Sequence, residues 1–61
     1  MKLKSKRQEK GFTQYEIANK ANMSEKQYRR VEHGEQDPSI KKALLIAQVL
    51  GTTVEEIFTT N

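Results

Sequence analysis

The sequence has 61 residues, with eleven Lys and Arg against eight Asp and Glu, one histidine, no cysteine and a net charge of +3. A chain this short makes one domain at most and buries only ~60% of the surface its unfolded form exposes; lacking disulfides and thiolate metal sites, it must rely on helix packing or oligomerisation. A lone His33 builds no metal site, no apolar run approaches the ~18 residues of a membrane span, and the basic start Met1–Arg7 precedes no apolar stretch that would make it a signal peptide.

The first helix is predicted over about 2–10, ended by Gly11 as its C′ residue. The next signal is Phe12-Thr13-Gln14-Tyr15-Glu16-Ile17. Thr13 and Glu16 have the spacing of a capping box, and Phe12 and Ile17 that of a hydrophobic staple, so a second helix is predicted over 14–21. The signal then repeats. Ser24 and Gln27 form the box, Met23 and Tyr28 the staple, and a third helix runs over 25–33 to Gly34. Only Asn22, Met23 and Ser24 separate the second and third helices. A connection so short forces the two into a corner, the helix-turn-helix unit.

Gly34-Glu35-Gln36-Asp37-Pro38 reads as a loop, because Pro38 biases Asp37 towards extended geometry. Ser39 caps a fourth helix over 40–50. Its inward face is read as Ile40, Ala43, Leu44, Ala47 and Leu50, widened by Leu45, Ile46 and Val49 until the helix is apolar nearly all round. Gly51 ends it. A third box, Thr53 with Glu56, opens a short fifth helix over 54–59, and Thr59–Asn61 are expected to fray. No segment alternates with period two for long enough to make a strand. The expectation is all-α, five helices around one core in a single domain over 1–61.

Charge divides unevenly along this plan. Residues 1–30 hold nine Lys and Arg against three Glu (+6), whereas residues 31–61 hold two Lys against five acids (−3). The first half is therefore the one suited to a polyanion.

The sequence resembles the lambda-repressor-like (Xre/Cro-type) helix-turn-helix family from about Leu3 to Phe58. The residues that carry the resemblance are Arg7, Gly11, Thr13-Gln14, Ile17-Ala18, Met23-Ser24, Val31-Glu32, Gly34, Pro38-Ser39, Leu44, Ala47, Leu50-Gly51 and Ile57-Phe58. The resemblance implies a five-helix domain that binds double-stranded DNA as a homodimer, usually as a transcriptional repressor. Two features depart from the family. Glu35 and Asp37 stand in the loop after the third helix, where basic or polar residues are usual. Tyr28 replaces a small aliphatic residue, and its hydroxyl must reach water, a phosphate or a protein acceptor.

Recognition requires side chains from the first turns of the third helix. Glu25, Lys26, Gln27, Arg29 and Arg30 are the candidates for reading bases: Lys or Arg on guanine, Gln on adenine, Glu accepting from cytosine N4. The competing reading of the same face is a solvated surface with a Glu25–Arg29 ion pair. Gln14 at the start of the second helix is the candidate phosphate anchor. Lys10 and Lys6 add to it, and Lys2, Lys4 and Lys20 more weakly. The resemblance implies that Arg7 and Glu32 pair beneath the third helix, as a fork that fixes its end. It also places the dimer seam near the fifth helix, with Leu45, Val49, Ile57 and Phe58 as its residues.

No nucleophile–base pair, carboxylate dyad or phosphate loop suggests an enzyme, and neither cofactor, metal nor small-molecule ligand is expected. The cytoplasm, with access to the nucleoid, is the expected location. The alternative function is a protein-interaction module, an antitoxin or an antagonist of another regulator.

Overall fold

The computed structural model describes residues 1–58 and contains five helices: α1 (Leu3–Glu9), α2 (Gln14–Lys20), α3 (Glu25–Glu32), α4 (Ile40–Leu50) and α5 (Val54–Phe58). The first four agree with the sequence expectation to within one residue at each end. The expected end of α5 at residue 59 and the fraying of Thr59–Asn61 lie outside the described residues. No strand occurs among the described residues.

Each helix begins on a side-chain cap, except α1. At α2 the box is complete: Glu16 N–H donates to Thr13 Oγ1 (3.1 Å) and Thr13 N–H to Glu16 Oε1 (2.9 Å). Those bonds, the backbone one first, hold the Glu16 carboxyl below its usual range. The other two expected boxes are half formed. Ser24 Oγ accepts from Gln27 N–H, with no return bond from the Gln27 side chain. Thr53 Oγ1 accepts from Glu56 N–H, but the Glu56 carboxylate turns to the Thr52 hydroxyl (2.6 Å) and Lys6 (3.5 Å). A flanking hydroxyl and a cation outcompete one backbone donor there. Ser39 caps α4 through Lys42 N–H.

The helices also stop alike. After α1, α2, α3 and α4 the chain makes the paired six-to-one and five-to-two bonds of a Schellman motif, such as Met23 N–H to Ala18 C=O (2.8 Å) with Asn22 N–H to Asn19 C=O (3.2 Å). Three of the four left-handed positions are glycine, as expected. The fourth is Asn22 at φ 62°, inside the α2–α3 turn. Asn is the residue that best replaces glycine in that conformation.

The core is Leu3 from α1, Ile17 and Ala18 from α2 with Ala21 at its C-cap, Tyr28 and Val31 from α3, Ile46, Ala47 and Leu50 from α4, and Ile57 from α5. Phe12 and Met23, the two staple residues that precede the caps, pack against it. The α4 face differs from the sequence reading. Ala43, Ile46, Ala47 and Leu50 point inward, while Ile40 is 82% and Leu44 52% exposed. Leu44 follows Ala43 by about 100° of helix rotation, which carries it off the buried face. Ile40 stands in the first turn beside the Gly34–Pro38 loop, which does not cover it.

Candidate nucleic-acid interface

The α2–α3 corner is fixed from both sides. Ala21 is fully buried at the end of α2. The carbonyl of Asn22 accepts from Lys42 Nζ of α4 at 2.6 Å, a tie the sequence did not suggest because the residues lie twenty positions apart. Within α3, Tyr28, Val31 and Glu32 face inward at helical spacing. That orientation leaves Lys26, Gln27, Arg29 and Arg30 on the exposed side.

A buried carboxylate anchors the inner face. Arg7 donates to Glu32 through Nε (2.8 Å to Oε2) and NH2 (3.1 Å to Oε1), and its NH1 holds the Phe12 carbonyl at 2.8 Å. The Tyr28 hydroxyl donates to Glu32 Oε2 at 2.6 Å. Gln14 Nε2 donates to Oε1 at 3.1 Å. The Glu32 side chain is 1% exposed and that of Arg7 10%. Four donors thus converge on one carboxylate. Burial works to raise the Glu32 carboxyl, but the Arg7, Tyr28 and Gln14 bonds and the Arg7 charge outweigh it and hold the group below the ordinary glutamate range. The bond to Glu32 raises Arg7 in turn. Tyr28 is pushed up, first by burial and then by its bond to Glu32, so the phenol stays protonated as a donor. Among the three partners left open for that hydroxyl, the structure takes the protein acceptor.

Gln14 is the first residue of α2, the position expected of the phosphate anchor. Its amide is spent internally: Nε2 on Glu32, Oε1 accepting from Arg29 Nε at 3.2 Å. Arg29 NH2 in turn donates to Glu25 Oε2 at 2.8 Å. The Glu25–Arg29 pair weighed against base reading is therefore present. The side chains of Lys26, Gln27 and Arg30 make no hydrogen bond or ion pair among the described residues. Lys26 and Arg30, four residues apart, lie on one side of α3.

The other candidate cations divide. Lys10 is exposed, and its side chain makes no hydrogen bond or ion pair among the described residues. Lys6 lies near Glu9 (3.9 Å) and Glu56 of α5 (3.5 Å). Lys20 sits 5.9 Å from the centre of the Phe12 ring. Glu35 and Asp37 are exposed on the loop after α3, with His33 Nδ1 3.7 Å from Glu35.

The residues expected at a dimer seam are also redistributed. Ile57 is fully buried at the base of α5, where it presents nothing to a partner, and Leu45 and Val49 pack against the core half-buried. Phe58 remains, lining an open groove of about 550 Å³ with Met1, Pro38, Ile40, Leu44 and Val54. The exposed apolar surface of α4 is thus on the Ile40–Leu44 side. The described residues hold no group of three or more potential metal ligands, and no helix among them is long and apolar enough to cross a membrane.

Comparison with known proteins matches a helix-turn-helix family over residues 3–57. An uncharacterised helix-turn-helix-type transcriptional regulator of Methanocaldococcus jannaschii is 39% identical over 57 residues, covering 93% of this chain and 86% of the relative. No solved structure matches significantly. The chain belongs to the lambda-repressor-like helix-turn-helix family, a family of DNA-binding regulators and not of enzymes.

Proposed function

Proceeding from that membership, we propose that this single domain is a repressor that binds a specific double-stranded DNA site, with α3 in the major groove and two copies on an inverted repeat. The observation that carries the reading is the division of α3. Its inward polar groups are all bonded within the fold, while Lys26, Gln27 and Arg30 project without side-chain partners among the described residues. Unpaired donors on a rigid helix suit the acceptor-rich edge of guanine and the mixed edge of adenine. Lys10 adds positive charge for the approach to phosphate, and the N–H groups of Gln14 and Tyr15, the first two residues of α2, are donors suited to a phosphate oxygen. With the DNA neighbours of α3 engaged in this way, the protein works in the nucleoid-containing compartment of the cell.

One α3 reads a few base pairs, too few for a useful specificity ratio. A two-fold dimer doubles the contacts and sets its helices ~34 Å apart, one turn of DNA. The exposed pair Ile40 and Leu44, beside the groove bounded by Phe58, supports a seam on α4 and α5. The same groove also suits a protein-interaction module, in which α4 meets another chain and DNA is not the target.

Titration of operator and scrambled duplexes with Arg30→Ala separates the readings. A lost base contact weakens operator binding by ~1–3 kcal/mol of discrimination and spares scrambled DNA. Equal losses on both duplexes, or no operator preference in the unaltered protein, would overturn the assignment of α3.

A further inference from the structure

The bonds that run from the core to the DNA-facing side of α3 form one chain, and its last member is an acid. The buried Glu32 fixes the orientation of the Gln14 amide, because only Nε2 can donate to a carboxylate. Gln14 Oε1 is thereby aimed at Arg29 Nε. Arg29, held at that edge of its planar fork, presents NH2 to Glu25 Oε2. Glu25 stands in the first turn of α3, the turn that lies nearest the base edges when such a helix enters the groove.

A bare carboxylate at that position would be repelled by the phosphates. A carboxylate paired at one oxygen with a guanidinium carries no net charge as a unit, and its second oxygen, Oε1, has no partner among the described residues. It is a neutralised acceptor on a fixed support. Two bases offer a donor in the major groove, cytosine at N4 and adenine at N6. Adenine sets its N7 acceptor beside that donor and repels a second acceptor, whereas cytosine does not.

We propose that Arg29 is a positioning residue and not a base reader: held by Gln14, it presents Glu25 as a charge-compensated acceptor for a cytosine amino group in each half-site. The assignment rests on α3 entering the major groove, and it moves Arg29 out of the set of readers while leaving Lys26, Gln27 and Arg30 in it. Arg29 gives two of its five N–H donors to Gln14 and Glu25, and those two bonds hold the fork in place. Freeing its fork for a guanine would strip Glu25 of its counter-charge beside the phosphates.

The test is selection from a pool of randomised duplexes by the full chain and by two variants, Glu25→Gln and Arg29→Met, each first checked for an unchanged urea midpoint. The unaltered protein should prefer cytosine roughly tenfold at one position of each half-site. Glu25→Gln should turn that position towards adenine, since a carboxamide matches its paired donor and acceptor. Arg29→Met should flatten the same position and leave the others intact. Because both side chains stand at the surface, a purely structural pair would change affinity evenly and move no base preference. The inference is overturned if Arg29→Met alters a different position from Glu25→Gln, or if neither alters any while other positions stay selective. Loss of all selectivity in the unaltered protein would instead remove the DNA-reading assignment itself, and this inference with it.

Discussion

Replacing Arg7 with alanine removes two of the four hydrogen bonds on the Glu32 carboxylate and one from the Phe12 carbonyl. The carboxylate is too deeply buried for water to replace the lost donors, at 1% exposure of its side chain. Stripping one partner from a buried ion pair costs about 3–5 kcal/mol. Tyr28 and Gln14 still donate, which sets the expected loss at the low end, about 3 kcal/mol. Because a core of this size supplies only about 3–5 kcal/mol in all, a sizeable fraction of the variant should be unfolded without denaturant. At roughly 1 kcal/mol per molar of urea, the midpoint should fall by about 3 M. The deficit should also depend on pH. In the native protein the folded carboxyl of Glu32 lies below its ordinary value of 4.5, so its stabilisation is complete above that value and is lost as pH falls through the lower one. Without Arg7, burial is opposed only by the Tyr28 and Gln14 bonds, and the folded carboxyl should rise from its native position. The variant then takes up a proton as pH falls, and its deficit narrows. Urea melts followed by circular dichroism at about pH 7 and about pH 5 measure both effects. An unchanged midpoint at the higher pH, or a deficit that fails to narrow at the lower, would refute the clamp as a buried charge pair.

Asn22→Gly should raise stability by up to about 1 kcal/mol, because glycine enters the left-handed region without the steric cost an L side chain carries; a thermal melt that falls would show that the Asn22 side chain contributes what its backbone does not. Ser24→Ala removes the acceptor of Gln27 N–H and should cost about 1 kcal/mol, read from the same melts, with no loss if water caps α3 equally well. Leu44→Lys should leave the monomer fold intact and shift the dimer towards monomer while weakening operator binding. Sedimentation with footprinting checks it, and an unaltered dimer would place the seam elsewhere.

Helix positions were legible in the sequence because each start and stop is a local event. Thr13, Ser24, Ser39 and Thr53 each cap a donor three residues on, and glycine marks three of the four stops. The stop at Asn22 was legible as a gap between helices, but its left-handed backbone was not argued, since asparagine adopts many other conformations. Orientation was less legible. Ile40 and Leu44 share the apolar character of Ile46 and Leu50, and periodicity alone does not say which turns of α4 its neighbours are long enough to cover. The same limit misplaced Ile57, which the core takes in entirely. At the candidate interface, residue types identified the α3 side chains, but their competition for partners is a three-dimensional matter. Gln14 was read as a phosphate anchor, and its bond to Glu32, eighteen residues away, left no local sign in the sequence. Lys6 was read only as a phosphate contact, because Glu56, fifty positions along the chain, gives no local sign of lying beside it.

The local closure of the helices bears on how fast this chain reaches its structure. Caps and Schellman bonds reach no further than five residues, whereas the clamp joins residues 25 apart. Helical domains built mainly from local contacts fold in about microseconds to milliseconds. The search left to diffusion is the docking of preformed helices, α2 on α4 and α1 on α5, with Arg7 finding Glu32. Ile17, Ile46 and Ile57 should therefore be exposed together only briefly, which shortens the time in which a second unfolded chain can associate with them. A protein with so small a core is guarded against aggregation by speed, where it has little free energy to spare.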